Sequence, residues 1–187
     1  MISKIIAAAS LVLIPGTCRD IIYSGMGFGT YYYDVKQVDA CATSFEQQNM
    51  GNVECNFWTA LSLNDINSNY LVAMNSTQLS LDPASYCGKR VIVFINGQPS
   101  DLPLFIGDGC QRCSAGSASN NIWSPQAAPG LDFSFSALSY LSNGSACDSG
   151  HISISWEIAD ETLYAFDTNT PGQIRRSATP NSDWIDG

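Results

Sequence analysis

Residues 151–158, HISISWEI, alternate without a break: Ile152, Ile154, Trp156 and Ile158 are apolar, with Ser153, Ser155 and Glu157 between them. A period of two predicts a half-buried β-strand. Two shorter apolar runs, 91–95 and 102–106, flank a loop that carries Asn96-Gly97 and Pro99. They predict two strands joined by a turn. The second run stops at Gly107-Asp108-Gly109-Cys110, which predicts a carboxylate where a buried strand leaves the core. Residues 70–74, YLVAM, predict a short buried strand, and 30–35, TYYYDV, a strand approached through Gly25, Gly27 and Gly29. Tyr31, Tyr32 and Tyr33 cannot share one face of a strand, so at least one is expected to be exposed.

Helical signals are few and short. Phe135, Leu138 and Leu141 have helical spacing, so 131–141 predicts a strand end followed by a short helix. Residues 79–86 predict a helical turn leading into Cys87, 57–63 a short helix or strand, and 64–69 a turn. Residues 40–56 are polar with two cysteines and predict a disulfide-tied loop. Residues 114–130 predict a long loop with one aromatic, Trp123, and 166–187 a flexible tail that carries Trp184. Trp58 and Trp156 are expected in the core. Many short strands with few helices point to an all-β barrel or sandwich in one domain.

Composition narrows the setting. Apolar residues make up 45% of the 187, enough for a core, but charged residues only 13%, so the polar surface is built from Ser, Asn, Thr and Gln. The net charge of −9 repels phosphate backbones, so no nucleic acid is expected as a partner. No basic amphipathic stretch points to a membrane surface. Lys4 followed by apolar residues 5–14 and the small-residue neighbourhood Pro15-Gly16-Thr17-Cys18 reads as a signal peptide over 1–18. The mature protein is therefore expected to be secreted, extracellular and monomeric. Of seven cysteines, six remain after cleavage at Cys18: Cys41, Cys55, Cys87, Cys110, Cys113 and Cys147. An even set in an oxidising compartment predicts three disulfides, with the pairing left open. Asn75-Ser76-Thr77 and Asn143-Gly144-Ser145 are N-glycosylation acceptors if the source is eukaryotic.

Several chemistries drop out. The glycines before residue 30 precede a strand rather than open a helix, so they form no phosphate loop. Cys110-x-x-Cys113 could be a redox pair or half a zinc site, but with one histidine in the chain a structural disulfide is the expectation. No metal and no cofactor are expected. A Ser-His-Asp triad using His151 lacks the nucleophile elbow G-x-S-x-G.

The order of short motifs is more informative than any one of them. It runs Gly29-Thr30-Tyr31-Tyr32, Ala40-Cys41, the strand 71–74, Tyr86-Cys87-Gly88-Lys89, Gly107-Asp108-Gly109-Cys110-x-x-Cys113, Leu131-Asp132-Phe133-Ser134 with Ala137 and Leu138, and 152–156. This series resembles the expansin and rare lipoprotein A-like family, closest to its single-domain fungal loosenin-type members, and covers about residues 24–160. It departs from the pattern at Ala42, where glycine is usual, and in an insertion that carries Cys55.

The resemblance implies a disulfide-stapled, six-stranded double-psi β-barrel with short helices over 24–165. It implies cell-wall polysaccharide, cellulose or chitin, as partner, bound in an open groove and loosened without hydrolysis. Asp108 and Asp132 match the two acids that line that groove, and Thr30 matches its threonine. Tyr31, Tyr32 and Trp123 are the aromatics expected on the sugar faces. Related family 45 endoglucanases carry a T-x-Y-x-D motif that Thr30-x-Tyr32-x-Asp34 fits. The competing enzymatic expectation is therefore weak inverting endoglucanase activity, with Asp132 as acid and Asp34 as base about 6.5–9.5 Å away. A further competing expectation is a secreted effector or protease inhibitor on a barwin-like barrel, with a host protein as partner. The plainer alternatives are that Asp132 caps the following helix and Asp108 closes a turn.

Overall fold

The computed structural model describes residues 19–57, 60–114 and 122–166. Its two longest strands, β1 (Ile21–Tyr33) and β9 (His151–Thr162), pair antiparallel from Ile21↔Ala159 to Thr30↔His151. Between them the chain forms β2 (Asp39–Ala40), β3 (Thr43–Ser44), β4 (Leu71–Asn75), β5 (Lys89–Ile95), β6 (Gln98–Pro99), β7 (Leu104–Cys110) and β8 (Gly130–Ser134). Six short helices punctuate these: α1 (Glu46–Asn49), α2 (Leu63–Ile66), α3 (Ser76–Leu81), α4 (Pro83–Tyr86), α5 (Phe135–Leu141) and α6 (Ala146–Ser149).

The sheet runs β5-β7-β4-β8-β1-β9, and β9 pairs back onto β5, so the hydrogen-bonded neighbours close into a ring; β6 is a short extra strand on β5. β1 with β8 and β4 with β7 are parallel pairs. Strand alternation sorts the side chains. Leu131 and Phe133, Val91 and Val93, and Ile154, Trp156 and Ile158 join one buried core. Asp132, between Leu131 and Phe133, must then point the other way.

The structure extends two elements beyond what the pattern predicts. β1 starts at Ile21, so the glycine-rich approach is itself strand. The indole of Trp156 occupies the space a Cβ on Gly25 would need, so glycine lets the two strands and the tryptophan share one layer. β7 also runs on through Asp108, because β4 stays beside it: Ala73 pairs with Asp108 and Asn75 with Cys110 after a register shift that skips Gly107. Asp108 is therefore a strand residue, not a turn residue.

Other expectations change locally. None of the three tyrosines is exposed. Tyr33 is fully buried and its hydroxyl donates to the carbonyls of Ser68 at 2.8 Å and Leu71 at 3.0 Å. Tyr31 packs edge-on to Phe45 and Phe135, and Tyr32 lies on the opposite face against Ala73, Cys110 and Cys113. Residues 79–86 are two helices, because Pro83 has no N–H and forces Asp82 out of helical geometry. Residues 40–56 contain the β2–β3 hairpin and α1. Part of the expected turn at 64–69 is α2, capped by a Ser62/Asp65 capping box and ended at Asn67, whose φ is 50°. The signal peptide, Cys18, Trp58, the tail 167–187 and Trp184 lie outside the described residues. Among the described residues no helix is long and apolar enough to cross a membrane.

The six cysteines form Cys41–Cys147, Cys55–Cys87 and Cys110–Cys113. Their sequence separations of 106, 32 and 3 set how much each restricts the unfolded chain. On the chain-entropy model the losses on removal run to about 4.7, 3.7 and 2 kcal/mol. Paired Cys→Ser variants should therefore lose unfolding stability in the order Cys41/Cys147, Cys55/Cys87, Cys110/Cys113, as read from denaturant midpoints.

Candidate functional site

Register places the predicted residues in one row. Ala73 on β4 is opposite Asp108 on β7 and Asp132 on β8; Asp132 is opposite Thr30 on β1; Thr30 is opposite His151 on β9. Side chains in register on neighbouring strands share a face. Here it is the face turned away from Leu131 and Phe133. Two strand spacings separate Asp108 from Asp132, about 10 Å between Cα atoms. The full row spans four spacings, at most ~19 Å before the curvature of the sheet is counted. Ala73, between the two acids, is buried beneath Tyr32 and the Cys110–Cys113 pair.

Arg112 holds one half of this row. It sits in a 3-10 turn, Arg112–Ser114, directly after β7. Its Nη2 donates to Asp132 Oδ1 at 2.6 Å, to Thr30 Oγ1 at 2.9 Å and to Cys113 Sγ at 3.3 Å, while Nη1 donates to the Ala128 carbonyl at 3.0 Å. The Thr30 hydroxyl in turn donates to Asp132. The Arg112 and Asp132 side chains are only 15% and 17% exposed, so removing one partner costs more than breaking a surface ion pair, because the other charge is left desolvated. Burial pushes the Asp132 carboxyl above the usual carboxylate range, and Arg112 pulls against that shift through its charge and its hydrogen bond.

Aromatic rings wall the same end. Trp123 stacks on the His151 imidazole with centroids 4.1 Å apart and planes 7° apart, and meets Phe28 edge-on at 5.3 Å. The Arg112 guanidinium lies 5.3 Å from the Trp123 centroid, within cation–π range.

Asp108 anchors the other half. Its Oδ1 accepts from the backbone N–H groups of Glu54 and Gly109, both at 2.8 Å, and its Oδ2 accepts from the Tyr32 hydroxyl at 2.9 Å. Burial raises the Asp108 carboxyl too, with these three hydrogen bonds opposing it and the Glu54 charge adding to it. Burial, reinforced by the Asp108 charge, lifts the Tyr32 phenol well above its ordinary value.

The structure thus brings together Thr30, Tyr32, Asp108, Asp132 and Trp123. Tyr31 is not with them, since it packs on the core side of β1. Asp34 is not with them either. It is 0% exposed, and its oxygens accept five hydrogen bonds: from Lys36 N, Gln37 N, Asn69 Nδ2, Ser136 N and Ser136 Oγ. That carboxylate ties the end of β1 to the first turn of α5 and has no room to activate a water. The helix cap expected as the plainer role of Asp132 belongs to Ser134, whose hydroxyl accepts from Ala137 N at 3.0 Å.

Arg112 and His151 are the site residues that sequence reasoning passed over. One signal was available for each: a cation inside C-x-x-C in a chain with eight Lys and Arg, and the one histidine. Among the described residues, Cys110, Cys113 and Asp132 form the group spaced for a metal ion, but the two cysteines are joined as a disulfide and offer no thiolate.

The chain matches no protein-family model and no curated protein. Among solved structures it is similar to apo expansin of Clavibacter michiganensis at 17% identity and a TM-score of 0.40, covering 75% of this chain and 52% of that one. It is also similar to a mutant of that expansin in complex with cellohexaose, at 15% identity and a TM-score of 0.37, covering 73% of this chain and 50% of that one. The chain spans about half the length of these expansin chains.

Two outcomes follow from the geometry. A carboxyl raised by folding keeps its proton after the unfolded chain has lost its own. Asp108 and Asp132 therefore stabilise the fold least above their raised values, and their contribution improves as pH falls toward the ordinary carboxylate range. Arg112→Met removes the opposing cation, so carboxyl carbon shifts should show Asp132 titrating at higher pH than in the parent. Asp34→Ala leaves several buried donors unpaired and should cost at least ~3 kcal/mol of unfolding free energy, measured by urea denaturation.

Proposed function

We propose that the protein is an expansin-like, secreted polysaccharide-binding protein. On this reading the closed ring of strands is a double-psi β-barrel, and a cellulose or chitin chain lies along the row from Asp108 to Trp123. The observation that carries it is the row itself: two acids and a threonine in register across neighbouring strands, with an arginine from the turn after β7 bonded to Asp132 and Thr30 and an aromatic stack at one end. Carboxylates accept from sugar hydroxyls, the guanidinium donates to them, and an indole face packs on the apolar face of a pyranose ring. The order of sequence motifs shared with expansin and rare lipoprotein A-like proteins points the same way.

The bound chain is loosened rather than cut. Inverting hydrolysis needs a general base facing a water across the sugar from the acid. Asp34 is buried and saturated. Asp132 is engaged within the protein by Arg112 and Thr30, and no second acid in the row faces it as a base. What remains is competition: the row's polar groups replace hydrogen bonds between neighbouring glycan chains. Three disulfides suit an oxidising, extracellular compartment.

Incubation with insoluble cellulose and with chitin, followed by pulldown and a reducing-end assay, tests this reading. Binding to at least one of them without release of reducing ends is expected, and Trp123→Ala should weaken it about tenfold, equivalent to about 1.4 kcal/mol. No retention on either polymer contradicts binding; reducing ends that disappear in Asp132→Asn contradict the non-hydrolytic form. The two acceptor sites should also differ. Asn143 is exposed at a left-handed turn, whereas the Asn75 Oδ1 caps α3 through Gln78 N and accepts from Ser114 Oγ. Peptide mapping of protein secreted from a eukaryotic host should find glycan at Asn143 and not at Asn75.

A further inference from the structure

The Cys110–Cys113 disulfide closes the shortest loop of the three, so it restrains the unfolded chain least. Its surroundings are also unlike those of a simple staple. Arg112 Nη2 donates to Cys113 Sγ at 3.3 Å, and the backbone N–H of Cys113 donates to Cys110 Sγ at 3.0 Å. Each sulfur therefore already has a donor that would hold it as a thiolate. An Asp132 carboxylate oxygen lies within 4.8 Å of both sulfurs. Burial lifts that carboxyl above its ordinary value.

Both cysteines are only 4% exposed, and Cys113 borders a pocket. A half-open pocket of about 440 Å³ has Cys113 on its wall, with Met26, Met74 and Trp156 as apolar lining and Gln78 among its polar residues. The indole N–H of Trp156, a residue 6% exposed, finds no acceptor among the described residues. Cys110 does not line this pocket, and Tyr32 packs over the pair on the Asp108 side.

We propose that Cys110–Cys113 is a thiol–disulfide exchange site for a low-molecular-weight dithiol that enters this pocket, with Asp132 carrying the proton. A thiolate of the dithiol attacks Cys113 Sγ, and the S–S bond electrons go to Cys110 Sγ, which leaves as a thiolate held by the Cys113 N–H. The second thiol of the ligand then attacks the ligand's own sulfur in the mixed disulfide. It closes a cyclic disulfide and expels Cys113 as a thiolate beside Arg112. The dithiol is oxidised by two electrons and the protein pair is reduced by two. The two thiol protons end on Cys110 and Cys113, passed through Asp132 and solvent. The proposal does not rest on the polysaccharide-binding reading, and it shares Asp132 and Arg112 with that row.

The test uses the intact oxidised protein at neutral pH without denaturant, treated with graded dithiothreitol, trapped with iodoacetamide and mapped by peptide mass, with circular dichroism on the same samples. Cys110–Cys113 should be reduced at least ~10-fold faster than the other two pairs while the spectrum stays native. Reduction of all three together, or only as the spectrum is lost, overturns the proposal. Direction is tested by single variants mapped in the same way. The Cys113 thiol of Cys110→Ser should form a mixed disulfide with an aromatic disulfide reagent at least ~10-fold faster than the Cys110 thiol of Cys113→Ser. Equal or reversed rates overturn it. Gln78→Trp, at the pocket and outside the row, should slow reduction with the native spectrum retained; an unchanged rate overturns access through the pocket. Asp132→Asn should alter the pH profile of exchange, and an unchanged profile overturns its role as proton carrier.

Discussion

The outer face of the ring depends on holding one buried carboxylate, Asp132, against one guanidinium, Arg112. A carboxylate taken out of water needs a partner of opposite charge and its remaining lone pairs filled. Arg112 supplies the charge and Thr30 a hydroxyl. Because Arg112 lies between Cys110 and Cys113, the disulfide fixes the turn that delivers it. Because Thr30 is opposite Asp132, the parallel pairing of β1 with β8 fixes the acceptor. Loss of Arg112 leaves the buried Asp132 charge without its counterpart.

The same constraint divides the three candidate acids. Each is largely withdrawn from water, but by different means. Asp34 is consumed by five donors and serves as a joint between β1 and α5. Asp108 is held by two backbone N–H groups and the Tyr32 hydroxyl, with no cation bonded to it among the described residues. Asp132 alone among them is ion-paired. On the proposed reading, a glycan along the row meets two acids of different character. That arrangement suits binding at several hydroxyls better than acid–base chemistry at one bond.

Much of this was legible in the chain because alternation survives at the residues that matter. Leu131 and Phe133 flank Asp132, and the period of two alone puts the acid opposite the core. The clean pattern of 151–158 marked β9, and the even cysteine set matched three disulfides. What the pattern could not carry was long-range register. Asp34 fits a local motif as well as Thr30 does, yet Asn69 and Ser136, 35 and 102 residues away in sequence, decide that it is buried. The glycines before Thr30 look like a loop until Trp156, the Pro129 carbonyl and Phe133 are seen to occupy the side-chain space of Gly25, Gly27 and Gly29. Arg112 gains its meaning only when β7 and β8 are placed on either side of β4.

The central claim is that the row from Asp108 to His151 is where a glycan binds. Amide and side-chain chemical shifts followed during titration with soluble cello- and chito-oligosaccharides measure this directly. The account predicts shifts concentrated at Thr30, Ala73, Asp108, Asp132 and the Trp123 indole, with oligosaccharide length unchanged over the titration. Shifts confined to another face, or the appearance of shorter oligosaccharides, would contradict it.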